Sequence, residues 1–149
     1  MTLRVDYQHI APAGMKALGG VYMYVSACGL PKELVDLVYL RASQINGCAY
    51  CVDSHSHDLL EAGVPMQKLM LVPTWREAGT IFSDREHAAL AWCEAVTLVA
   101  KTHVADDAFS AVRAKFSEKE VTDLTIAISL INSYNRIAIS FRRGAEPRS

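Results

Sequence analysis

The chain has 149 residues, 51% hydrophobic and 21% charged, a balance that excludes intrinsic disorder and fits one folded domain. Fifteen Lys and Arg against sixteen Asp and Glu leave a formal net charge of -1, so no global field draws the protein to nucleic acid or to an anionic membrane. A chain of this size buries roughly two-thirds of its unfolded surface, enough for a core without covalent staples.

The first six residues, Met1-Thr2-Leu3-Arg4-Val5-Asp6, do not lead into an apolar run with a small-residue cleavage site. The most apolar long stretch, from Leu124 to Phe141, is interrupted by Asn132, Ser133, Asn135 and Arg136 and is not expected to span a bilayer. A cytoplasmic protein is the expectation. After a loop-like start, with His9 in irregular chain, Pro31 suits a first helical turn. Leu34, Val35, Leu37, Val38 and Ile45 continue that helix at spacings near three and four. Asn46-Gly47 marks a sharp bend, and a second helix is predicted from about Cys48 to Ala62, stopped by Gly63 with Pro65 beyond it. Pro73 and Thr74 precede a helical turn at Trp75 to Ala78.

Two capping boxes follow, in which a serine and a glutamate three residues later satisfy each other's orphan amides. Ser83 with Glu86 opens a helix to about Lys101, and Ser117 with Glu120 opens the last one, where Phe116 and Val121 are placed as a hydrophobic staple. Between them, Asp106 or Asp107 is expected to cap a shorter helix through Lys115. Strand-like alternation is scarce, so the predicted fold is all-α with about six or seven helices. The last helix is apolar on more than one face, which suits either a central position or a subunit interface. Arg136 within it calls for a buried acidic partner.

Chemistry concentrates at Cys48-Ala49-Tyr50-Cys51-Val52-Asp53-Ser54-His55. At about 100° per residue, Cys48 and Cys51 share a helix face and His55 falls between their directions. A cysteine at a helix N-terminus is pushed toward thiolate by unpaired amides, and an adjacent imidazole can take the proton. A low-pKa, accessible thiol one turn from a second thiol suits peroxide reduction through a sulfenic acid and a disulfide, or exchange with another protein's disulfide. Other readings of these residues remain open: a zinc site, a pair of inert buried cysteines, and a structural disulfide. Zinc lacks a closed ligand set, because His57 points to the far face and no second Cys-x-x-Cys exists. Cys28 and Cys93 are read as small apolar residues, Trp75 and Trp92 as packing residues, and His57, His87 and His103 as solvated or helix-end histidines.

The run Leu40-Arg41-Ala42-Ser43-Gln44-Ile45-Asn46-Gly47-Cys48-Ala49-Tyr50-Cys51-Val52-Asp53-Ser54-His55 resembles the core signature of the carboxymuconolactone decarboxylase-like superfamily, in its alkylhydroperoxidase D (AhpD)-like branch. The likeness extends through Phe82-Ser83-Asp84-Arg85-Glu86, Ala91-Trp92 and Asn135-Arg136. It implies a single AhpD-like domain over residues 1–149, with the core motif at about 30–63, assembled as a homo-oligomer such as a trimer or hexamer. It implies an alkyl hydroperoxide reductase, an antioxidant peroxidase and disulfide oxidoreductase needing no metal or organic cofactor. The hydroperoxide is the substrate and a dithiol, on a lipoylated protein or a small molecule, is the reductant; a peroxiredoxin is a further partner. By resemblance Cys48 and Cys51 are the redox pair and His55 assists proton transfer. Asp36 stands where the family often has a glutamate in a proton relay, and Tyr50 where well-studied peroxidases carry another histidine. The shorter Asp36 reaches less far, and tyrosine is a poor base near neutrality. A non-enzymatic oligomeric module that binds zinc or senses oxidants, and a same-fold enzyme acting on a small organic substrate, are the alternatives.

Overall fold

The computed structural model describes residues 2–147. They form nine α-helices and no strands: α1 (Tyr7–Ile10), α2 (Pro12–Ala27), α3 (Lys32–Asn46), α4 (Ala49–Glu61), α5 (Met66–Leu71), α6 (Asp84–Thr97), α7 (Val99–Thr102), α8 (Asp106–Arg113) and α9 (Glu118–Ser140). Two 3-10 segments, Val72–Glu77 and Gly79–Ile81, link α5 to α6. No helix among the described residues is long and apolar enough to cross a membrane. The expectation of six or seven helices is corrected upward, because α1, α5 and α7 are too short to show an apolar period.

The largest correction lies at the N-terminus, where the loop-like start is in fact helical. Pro12 occupies the first turn of α2, where its missing N–H costs nothing, yet only Val25 of that helix is buried. A helix that buries so little within the chain carries no amphipathic stripe to read. The helix opened by Ser83 also ends earlier than expected, at Thr97. There the Thr102 hydroxyl donates to Ala95 O at 2.6 Å and accepts from Val104 N at 3.2 Å, turning the chain out through Leu98 and α7. Ala105, not an aspartate, is the N-cap of α8; the Asp107 carboxylate instead accepts its neighbour Ala108 N–H at 2.7 Å. Both capping boxes form as read, at Ser83/Glu86 and Ser117/Glu120.

Helix α3 runs through the middle of the molecule, with every residue from Leu34 to Leu40 buried, and it packs against α4, α6 and α9. One side of it joins Val35, Val38 and Ala42 to Cys48, Cys51, Cys93, Leu124, Ile128 and Ile131. The other side joins Leu37 and Leu40 to Leu59, Val72, Trp75, Phe82 and Leu90. The last helix α9 is central along its buried face, yet Ile126 and Leu130 also border an open apolar groove of about 500 Å³ with Leu18, Val21, Trp92 and Phe109. Arg136 is exposed rather than buried, and bonds Asn132 O and Oδ1 of its own helix, both at 2.9 Å. The fully buried polar residue of that pair is Asn135.

Candidate active site

The site begins at the junction of α3 and α4. Gly47 adopts φ 73°, a left-handed conformation that glycine enters without the Cβ penalty, and ends α3. The next N–H, from Cys48, donates back to Ser43 O at 3.0 Å, while the Cys48 carbonyl accepts from Val52 N at 2.9 Å. One residue therefore closes one helix and caps the next, which fixes the Cys48 sulfur beside the first amides of α4. Cys51 lies one turn on and His55 one turn further, as the spacing predicts.

Both cysteines are buried, at 1% and 3% exposure, which corrects the expectation of an openly accessible thiol. Access is through a cavity of about 300 Å³ lined by Cys51, His55, Tyr22, Tyr50 and Tyr134, while Cys48 lies behind it. Helices α1 and α2 supply part of the wall through Tyr7, Met15 and Tyr22, so the segment without a readable pattern covers the reactive end. The two thiols of the pair are pushed in opposite directions. The Cys51 thiol donates to Cys48, and the Cys51 backbone N–H and the Asn135 amide add to it, lowering the Cys48 thiol to about 7 against the opposing effect of burial. Donation to Cys48, then burial, raises Cys51.

His55 is half-buried, and its Nδ1 is buried without a hydrogen-bond partner. Burial lowers its pKa, opposed by the Asp36 and Asp58 carboxylates and assisted by the Lys32 charge. The imidazole is thus kept neutral at pH 7 and available as a base. Asp36 Oδ1 stands 3.9 Å from Nδ1, and Asp58 Oδ2 is closer at 3.6 Å. Lys32 holds the other Asp36 oxygen at 2.5 Å, and the Tyr39 ring lies 5.0 Å from the imidazole. The structure therefore gathers Cys48, Cys51, His55 and Asp36 in one place, but Asp36 does not hydrogen-bond His55 directly. Lys32, Tyr39, Asp58 and Asn135 belong to the same neighbourhood; the sequence marks Asn135 only through the Asn135-Arg136 likeness, without a role, and the helical spacing of Lys32 with Asp36 and of Asp58 with His55 hints at two others.

Metal-ligating groups cluster twice among the described residues, at Asp36, His55 and Asp58 and at His57, Asp58 and Glu61. Neither cluster contains a cysteine, so the geometry does not assemble the Cys-and-His donor set that the zinc reading needs. His57 faces Glu61 at 3.6 Å, away from the sulfurs.

A family model described as the carboxymuconolactone decarboxylase family matches residues 12–95. YdfG of Bacillus subtilis (strain 168), an uncharacterised protein, is 36% identical over 140 residues, covering 94% of this chain and 95% of its own length. A solved structure from Agrobacterium tumefaciens, a protein of unknown function described as an AhpD antioxidant defence protein, is 39% identical with a TM-score of 0.95, covering 99% of this chain and 100% of that one. The debrominase Bmp8 shares the fold at 23% identity and a TM-score of 0.83, over 93% of this chain and 74% of that one.

Proposed function

The chain belongs to the carboxymuconolactone decarboxylase family, in its AhpD-like branch, and from that membership we propose that it is a thiol-dependent hydroperoxide reductase. The observation that carries this reading is that Cys51 and His55 line the cavity while Cys48, biased to thiolate, stands directly behind. A hydroperoxide in the cavity meets the Cys51 sulfur first. His55 takes the Cys51 proton as the sulfur attacks the terminal peroxide oxygen. The O–O bond breaks, the alcohol leaves with the proton returned by His55, and Cys51 becomes a sulfenic acid. The Cys48 thiolate then attacks that sulfur and expels hydroxide, which leaves as water on gaining a proton. Both electrons have come from the dithiol, and the product is a Cys48–Cys51 disulfide. An external dithiol, on a small molecule or a lipoylated protein, restores the pair by exchange. Asp36 acts on His55 through its field, with Lys32 holding it in place.

The exposed apolar side chains of α2, Val21, Tyr22, Met23 and Tyr24, adjoin the open groove along α9, and a homo-oligomer of the kind the family resemblance implies would cover them. A second reading has one observation in its favour. Four tyrosines, Tyr7, Tyr22, Tyr50 and Tyr134, line the cavity and suit a small aromatic substrate, as the debrominase Bmp8 is seen in complex with 2,3,4-tribromopyrrole.

One equivalent of an organic hydroperoxide followed by alkylation and mass spectrometry separates the readings. Fast formation of a Cys48–Cys51 disulfide that dithiothreitol reverses is the expected result. Cys48→Ser should accumulate a trappable sulfenic acid on Cys51, and both serine variants should lose turnover by at least about a hundredfold. Full steady-state activity in either serine variant, or thiols indifferent to peroxide, would refute the two-cysteine cycle.

A further inference from the structure

Behind the sulfurs, the end of α3 and the middle of α9 are joined by buried amides. Asn135 is fully buried, and each polar atom of its carboxamide has an assignment. Its Oδ1 accepts from Asn46 Nδ2 at 2.9 Å, and its Nδ2 donates to Ser43 Oγ at 3.0 Å. Asn46 is itself fixed by a second bond to Asn132 Oδ1 at 3.0 Å, and Asn132 donates to Thr97 Oγ1 at 3.1 Å. These bonds leave the amide no freedom to flip. A primary amide has two N–H bonds, and Ser43, whose carbonyl accepts the Cys48 N–H at 3.0 Å, brings this amide beside the cysteine pair, where its second N–H favours the charged form of both thiols. The Ser43 hydroxyl also reaches Cys51.

Burying an amide costs free energy unless all of its bonds are made, and an apolar side chain would tie α3 to α9 at less cost. The contact to sulfur distinguishes this amide from a mere strut. A thiolate is a charged acceptor, whereas the sulfurs of a disulfide are neutral and weak ones. An N–H held on the pair therefore stabilises the reduced state relative to the oxidised one. The disulfide then becomes easier to reduce, as in oxidoreductases whose reduced form is selectively stabilised.

We propose that Asn135 is a positioning residue for the redox pair: its carboxamide, locked by Asn46 and Ser43, holds one N–H on the Cys48–Cys51 sulfurs and sets the balance between dithiol and disulfide. This rests on the reading of Cys48 and Cys51 as a redox couple, but its readouts need no peroxide. The test uses the full chain, Asn135→Leu and Ser43→Ala, each equilibrated in dithiothreitol redox buffers and alkylated with iodoacetamide across a pH series. Leucine matches asparagine in bulk and cannot donate. In Asn135→Leu the thiol titration should rise by about one unit, and the equilibrium should shift about tenfold toward disulfide, a potential lower by about 30 mV. Ser43→Ala unlocks the amide and should move both readouts in the same direction by less. A cooperatively folded Asn135→Leu with unchanged titration and potential would reduce Asn135 to a packing role and overturn the proposal. Should Asn135→Leu fail to fold, an unchanged potential and titration in Ser43→Ala overturns it equally. If the unmodified chain forms no Cys48–Cys51 disulfide in any buffer, the redox reading of the pair falls as well.

Discussion

At the scale of single residues, the site separates two tasks that a lone cysteine–histidine pair would have to share. Cys48 receives the hydrogen bonds that favour thiolate, while Cys51 faces the cavity and has His55 one turn away. The acid limb of thiol alkylation should therefore follow a group titrating near 7, with thiolate lost as the pH falls through that value. The histidine is already neutral there, since burial lowers its pKa. His55→Ala should slow peroxide reduction by about a hundredfold while leaving the alkylation limb in place, a split that stopped-flow and iodoacetamide kinetics read separately. Lys32→Met removes the positive charge that helps keep His55 neutral. The imidazole pKa should rise, so peroxide reduction should fall more on the acid side of neutrality than on the alkaline side. Cys48, Cys51 and His55 could be read because their relation is local, three and four residues along one helix. Asn135 stands out in the sequence only beside Arg136, with no role attached: its partners Asn46 and Ser43 lie on another helix, and only the tertiary fold brings its carboxamide to the end of α3.

At the scale of elements, the α3–α4 junction matters more than either helix alone. Gly47→Ala forces a Cβ into a left-handed conformation and should cost about 1 kcal/mol. It should also slow disulfide formation, because the same turn aims Cys48; urea unfolding and peroxide kinetics on one sample would show both effects. Ser117→Ala removes half of a capping box far from the chemistry and should cost about 1 kcal/mol with peroxide turnover unchanged. The contrast tests whether stability and activity separate by element. The capping boxes and the Asn46-Gly47 bend were legible because each is a local hydrogen-bond problem with a local solution. The exit from α6 was not. Its signal is the Thr102 hydroxyl reaching back to Ala95 O, and nothing in the run from Val96 to Lys101 argues against continued helix. Nor was α2, whose apolar side chains, Val25 apart, are exposed or only half-buried.

Over the whole molecule, the same exposed side of α2 makes a prediction about mass. Met23 is 66% exposed and Tyr24 48%, an apolar surface unusual for a helix of a solitary chain. Sedimentation should find an oligomer, and Val21→Asp should dissociate it while leaving helical content intact. Elsewhere Glu94 binds Arg41 at 2.7 Å, Trp75 Nε1 at 2.9 Å and Arg76, joining α3, α6 and the 3-10 segment. Glu94→Ala strands the mostly buried Arg41 and should cost about 3 kcal/mol in denaturant unfolding.

The fourth cysteine has a use of another kind. Cys93 is wholly buried, its Sγ donates to Val38 O at 3.4 Å, and burial pushes its thiol up to about 12. No reagent reaches it while α3 and α6 stay together, so its labelling rate is a clock for the opening of the core. The protein therefore carries its own stability gauge. In a single tube, mass spectrometry can time the modification of Cys48 and Cys51 as chemistry and that of Cys93 as unfolding, and tell a variant that has lost its reaction from one that has lost its fold.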